Sequence, residues 1–161
     1  MPRSNKEAQG NRSRRGKLLE LSLFERFESL LDRTSLDVSI CLKRQVPLCI
    51  NGVVKKIDFG FCTRTEPPRW LAFVGCKASF KERDTEDMWQ AMHAHRQHGL
   101  GVPWLEYFES ESPEDSPHQI RTRATKALAL SCGEFAAVIS CTDREGMLAG
   151  DTLLLSALTR R

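Results

Sequence analysis

The stretch Trp70-Leu71-Ala72-Phe73-Val74-Gly75-Cys76-Lys77 is an almost unbroken apolar run that ends in a lysine. A strand with one wet face alternates apolar and polar residues, so a run of this kind reads as a central strand covered on both faces. Helices supply such cover, which points to a layered α/β domain. The run also sets a problem at its end. An ammonium on a central strand is expensive to bury unless it reaches a rim or meets a carboxylate. Asp58 poses the same problem one strand earlier, within Ile57-Asp58-Phe59. Both are answered if the two groups lie at one end of the sheet and face each other.

The rest of the chain supplies the layers. Ser22 followed by Glu25 has the form of a capping box and predicts a helix over 23–33, with Leu23, Phe24, Phe27, Leu30 and Leu31 at helical spacing. Alternation over 37–48, the turn pair Asn51-Gly52 and the run 53–61 predict a hairpin. The segment 63–69, with Pro67-Pro68, reads as a loop before the central strand. A helix over 85–98, closed by Gly99, precedes a strand over 102–108. The acidic, Ser- and Pro-rich stretch 109–117 reads as a surface loop. A helix over 118–131, a strand over 135–141 and a helix near 151–159 complete the order, a mixed sheet flanked by helices.

With 161 residues the chain suits one domain able to bury a core without staples. No apolar run approaches the ~20 residues that a membrane-spanning helix needs. Six cysteines, none in a CxxC pair, several of them inside apolar runs, suit reduced thiols in a cytoplasmic protein. The net charge of +3 is modest, but its distribution is not. Residues 1–17 hold Arg3, Lys6, Arg12, Arg14, Arg15 and Lys17 against Glu7 alone, with Gly, Asn, Ser and Gln between them. This reads as a disordered basic arm, either solubilising or in contact with phosphates, ahead of a single domain over 18–161.

The ordering of these features resembles the PD-(D/E)xK nuclease superfamily. Its signature is an acidic residue on the second strand of a meander and an acidic-x-Lys triplet ending the third. Asp58 and Gly75-Cys76-Lys77 stand in those places. Ser22-Leu23-Phe24-Glu25 looks like the Ser-x-x-Glu entry of phage junction resolvases and of TnsA-like transposase endonucleases, and the basic run Arg12-Ser13-Arg14-Arg15-Gly16-Lys17 also looks TnsA-like. The resemblance covers about two-thirds of the chain and implies a restriction-endonuclease-like core.

It also implies an activity, the metal-dependent hydrolysis of DNA phosphodiester bonds in transposition or recombination, with a companion transposase or recombinase subunit as partner. A hard cation, Mg²⁺ or Mn²⁺, would take oxygen ligands. The resemblance assigns these to Glu25, Asp58 and the main-chain carbonyl of Cys76. Lys77 would orient the attacking water, and Arg12, Arg14, Arg15 and Lys17 would grip the DNA backbone. Gly75 departs from the pattern, for the family offers Glu, Asp or Gln there. Three explanations are open: an engineered inactivation, natural decay to a DNA-binding pseudo-nuclease, or another carboxylate, Glu20 or Glu28, moved into the site. The first expectation is therefore an endonuclease impaired by Gly75. The second is an inactive DNA-binding or assembly protein on the same fold, and the third a structural protein in which Asp58 and Lys77 only pair.

Other candidates read more simply. His93, His95 and His98 suit a polar helix face, since no carboxylate or cysteine joins them at ligand spacing. Trp89, with Met88 and Met92, reads as a core stripe. Arg26, Arg33, Lys43, Arg44 and Lys81 read as surface charges, Gln45 as a structural hydrogen-bonding group, and Arg121, Arg123 and Lys126 as a basic helix face.

Overall fold

The computed structural model describes residues 5–78, 84–99, 101–109 and 114–160, and of residues 5–9, 12, 84 and 85 the backbone alone. Arg3 and Lys81 lie outside the described residues, as does part of the acidic loop expected over 109–117.

Four helices and five strands follow in the order α1 (Asn5–Arg33), β1 (Ile40–Ile50), β2 (Val53–Thr63), β3 (Trp70–Lys77), α2 (Asp84–His98), β4 (Trp104–Phe108), α3 (Pro117–Leu130), β5 (Ala137–Ser140) and α4 (Arg144–Thr159). The strands form one sheet in sequence order. The β1–β2 and β2–β3 pairs are antiparallel, and the β3–β4 and β4–β5 pairs are parallel, joined through α2 and α3. This is the expected mixed α/β sheet flanked by helices. Asn51 and Gly52 make the β1–β2 turn with φ of 49° and 80°, the left-handed pair that a two-residue hairpin requires.

α1 differs from expectation. It starts at Asn5, so residues 5–17, expected as a disordered arm, are its first turns. Lys, Glu, Ala, Gln and Arg in this stretch are good helix formers, and no proline interrupts them. Ser22 and Glu25 therefore sit inside a running helix and do not open one. α4 begins at Arg144, well before 151, with Asp143 as N-cap accepting from the Glu145 N–H. Gly146 and Gly150 hide this start, since glycine disfavours helix. Gly150 has a packing reason: a Cβ there would lie 3.1 Å from Ile139 and from the Tyr107 hydroxyl.

Two apolar layers enclose the sheet. On one face Leu19, Leu23, Phe27, Leu30 and Leu31 of α1 meet Phe59 and Phe61 of β2, Ala72, Val74 and Cys76 of β3, Leu105 and Tyr107 of β4, and Leu154, Ala157 and Leu158 of α4. On the other, Ala91 and Ala94 of α2 cover Phe73, Trp104 and Phe135 together with Val46, Leu48, Ile50 and Ile57. The hairpin thus changes face along its length. Leu42 and Phe59 belong to the α1 layer, and Val46 and Ile57, each an even number of residues away, to the α2 layer. The change occurs where the β1–β2 ladder skips the step between Gln45 and Asp58 and Gln45 takes φ 51°. A left-handed non-glycine costs on the order of 1 kcal/mol, so the surrounding structure holds this kink in place. Among the described residues, no helix is long and apolar enough to cross a membrane.

Candidate metal centre

Asp58 lies at this kink. The β2–β3 ladder runs through Phe61↔Ala72 and Phe59↔Val74 and goes no further, so the two strands part at Asp58. Its Oδ2 accepts the main-chain N–H of Cys76 at 2.8 Å, taking the place of a strand carbonyl in the opening wedge. Burial pushes the Asp58 pKa up, and the Cys76 N–H and the Lys77 charge oppose it.

On the α1 side of the wedge, a carboxylate oxygen of Glu20, one of Asp58 and Sγ of Cys76 lie within 4.8 Å of one another. This is the one such group of three found among the described residues. Burial, then the charge of Asp58, raises the Glu20 pKa, while Arg44, Lys77 and Lys17 lower it. Gln45 donates to Glu20 Oε2 at 3.5 Å. Two half-buried carboxyl groups that disfavour each other's ionisation form a site that a cation relieves. Their oxygens suit a hard ion; the thiol beside them is a softer donor whose own pKa burial drives far up.

The opposite side carries the lysine. Alternation along β3 turns Gly75 and Lys77 toward α2 with Phe73, and Trp104 and Glu106 of β4 share that face. Lys77 Nζ meets Asp87 Oδ1 of α2 at 3.0 Å. Burial opposes the Lys77 charge, but Asp87, then Asp58 and Glu106, outweigh it and hold its pKa above the usual value. So Asp58 acts on Lys77 through its charge, and the direct partner is Asp87. Asp87 is 3% exposed, and burial, against Lys77, pushes its pKa up to about 6.

Glu106 is 1% exposed and takes the Trp104 Nε1–H on Oε2 at 2.9 Å. Burial, then the charge of Asp87, raises its pKa well above the carboxylate range. Gly75 is its neighbour in the parallel register. A Cβ on Gly75 would lie 2.2 Å from Glu106 Oε2, inside any real contact distance. The glycine therefore has a local cause: the carboxyl of Glu106 fills the space into which a side chain at 75 would grow.

The structure brings Asp58 and Cys76 together, sets Lys77 on the other face of the sheet against Asp87, where only the charge of Asp58 reaches it, and faces Gly75 toward Glu106. It does not bring Glu25 into the Glu20–Asp58–Cys76 group. Five residues along a helix rotate by about 500°, so Glu25 points roughly 140° away from Glu20, and it is exposed. Glu28 is exposed as well. Of the basic residues, Lys17 lies one turn before Glu20, Arg14 is exposed, and Arg15 pairs with Glu109 at 3.0 Å; the Arg12 side chain is outside the described part. Arg44 stacks on Phe24 near the site, and Lys43 stacks on Trp70 at the other end of β3. His95 pairs with Glu134, His98 packs on Trp70 and Phe73, and His93 packs on Trp89, and among the described residues none of the three joins a group of metal-ligating side chains. Trp89 is 38% exposed and not a core residue.

Asp87, Glu106 and Trp104 complete the site without having stood among the sequence candidates, whereas Glu20 stood there as one of two carboxylates that could have moved into it. Glu106 carried the same mark as Lys77, a charge inside the apolar run Trp104-Leu105-Glu106-Tyr107-Phe108. Comparison with family models, curated proteins and solved structures finds no match to this chain.

Proposed function

We propose that this chain is a metal-dependent DNA endonuclease of the PD-(D/E)xK class. The observation that carries the reading is the meeting of Glu20, Asp58 and Cys76 at the wedge between β2 and β3, with Lys77 on the opposite face but near enough for its charge to act on Asp58. Glu20 and Asp58 would hold Mg²⁺ or Mn²⁺ through carboxylate oxygens, with the Cys76 carbonyl as a further oxygen by resemblance. When bound, such an ion polarises the scissile phosphate and lowers the pKa of a coordinated water. Lys77, held by Asp87, presents an ammonium to the charge that develops on the phosphate. Arg44 and Lys17, whose charges reach Glu20, flank the approach of an anionic backbone. In this reading Glu20 takes the role first assigned to Glu25. DNA is the substrate, the cytoplasm the compartment, and a transposase or recombinase subunit the partner.

The absence of an acid at 75 favours a second reading, a DNA-binding or assembly protein without catalysis. Plasmid cleavage in Mg²⁺ or Mn²⁺ separates the two. The nuclease reading expects nicking or linearisation by the wild type and none by Asp58→Ala or Glu20→Ala. Salt-sensitive DNA binding with no cleavage in either metal would leave the second reading standing.

A further inference from the structure

Gly75, Glu106, Asp87 and Lys77 form one chain of contacts across three elements. Trp104 Nε1–H donates to Glu106 Oε2 at 2.9 Å, and Lys77 Nζ reaches Asp87 Oδ1 at 3.0 Å. Between these pairs the buried carboxyl groups of Glu106 and Asp87 lie close enough for a side-chain hydrogen bond and for the charge of each to act on the other. Glu106 Oε1 is buried and meets no donor from another residue. Two carboxyl groups bond to each other only when one carries a proton. The fully enclosed Glu106 is the one to carry it, and Asp87, opposite an ammonium, is the one to stay ionised.

We infer that Glu106 is a positioning residue for Lys77: as a neutral acid it donates to Asp87, which fixes the ammonium at the rim, and Gly75 is glycine because this carboxyl occupies the space over it. The acid absent from β3 is thus present on β4 in another capacity. The part of this inference that concerns cleavage rests on the nuclease reading; the contact itself does not. Glu106 is not in the Glu20–Asp58–Cys76 group, so its effect is not expected on metal affinity.

Acetylation of Lys77 by an N-hydroxysuccinimide ester, followed residue by residue in the intact folded chain by mass spectrometry, reads the contact without any turnover. An ammonium clamped by a buried carboxylate acylates slowly. In Glu106→Ala the Lys77 rate rises by about tenfold, the equivalent of one charge-assisted hydrogen bond, with Lys55 as internal reference. Glu106→Gln restores the slow rate, because its amide donates to Asp87 while its carbonyl still accepts from Trp104. Gly75→Ala raises the rate as Glu106→Ala does, and combining the two adds nothing further. Calorimetric titration with Mn²⁺ gives affinities within about twofold of wild type for Glu106→Gln, in keeping with a role outside the ligand set.

An unchanged Lys77 rate in both Glu106→Ala and Gly75→Ala overturns the inference. So does a Glu106→Gln variant that labels as fast as Glu106→Ala, or one that loses Mn²⁺ affinity, since either requires an ionised Glu106. If Glu106→Ala fails to fold, Glu106→Gln and Gly75→Ala decide the question. A wild type that neither binds Mn²⁺ nor cleaves DNA removes the nuclease reading and leaves the labelling result to judge the contact.

Discussion

Replacing Gly75 with alanine should destabilise the protein, although alanine is normally the better strand residue. The added Cβ would lie 2.2 Å from Glu106 Oε2, whereas ordinary contact begins near 3.4 Å, so the carboxyl must retreat by about 1.2 Å. It cannot do so at little cost. Glu106 is 1% exposed, and the same oxygen holds the Trp104 Nε1–H at 2.9 Å. Crowding a packed core costs about 1–3 kcal/mol. Leaving the indole N–H or the carboxyl without its partner adds about 1–3 kcal/mol. The sum, about 2–6 kcal/mol, corresponds to a fall in Tm of roughly 4–24 °C for a domain of this size. Urea unfolding followed by tryptophan fluorescence measures it. In a Glu106→Ala background the space is open, and the alanine at 75 should cost less than about 0.5 kcal/mol more. A Gly75→Ala protein within about 0.5 kcal/mol of wild type, or an equal penalty in both backgrounds, refutes the reasoning. The same geometry bears on Gly75→Glu: an acid restored to β3 collides with Glu106 and regains nothing unless Glu106 is removed.

Three further outcomes follow from the charges. Burial pushes the Asp87 pKa up to about 6, so folding stability falls as pH rises from the ordinary carboxylate range through 6, by the order of 3 kcal/mol. Asp58, Glu20 and Glu106, raised too, add in the same direction, and the urea midpoint between pH 4.5 and 7 should depend less on pH in Asp87→Asn; equal slopes in the two proteins contradict this. Lys77→Met should cut cleavage by about 10²–10³-fold while Mn²⁺ affinity, measured by calorimetry, changes little; a parallel loss of affinity would make the lysine structural only. DNA affinity should fall steeply with salt, and Lys17→Ala should lower the log–log slope by about one, as a lost phosphate contact does; an unchanged slope puts the DNA elsewhere.

Strands were the legible part of the fold. β3 ends where the apolar run ends, because both its faces are covered and no residue choice obscures the limits. Asn51-Gly52 announces its turn through the left-handed angles it adopts. The ends of α2 and α3 were legible to within a residue, but the starts of α1 and α4 were not, since capping residues and glycines are weak local preferences that packing overrides. Ser22 is an interior residue of α1, and Gly150 sits inside α4 to let the helix approach Tyr107 and Ile139.

In the site, Asp58 and Lys77 were legible because each places a charge in an apolar strand. Glu106 bore the same mark, but its meaning depends on the register that sets it beside Gly75, and single-strand periodicity does not give register. Glu20 was obscured by the Ser22–Glu25 pattern. The α1 stripe Leu19, Leu23, Phe27 and Leu30 would have shown Glu20 next to the buried face. Asp87 reaches Lys77 from α2 across the sheet face, a contact between elements that no spacing within the chain reveals.

Whether a divalent ion binds between Glu20 and Asp58 decides most. Calorimetric titration of Mn²⁺ into the wild type, Glu20→Ala, Asp58→Ala and Glu25→Ala should give binding in the first and last and loss in the two middle proteins. Equal binding in all four, or loss only in Glu25→Ala, would contradict the wedge between β2 and β3 as the metal centre.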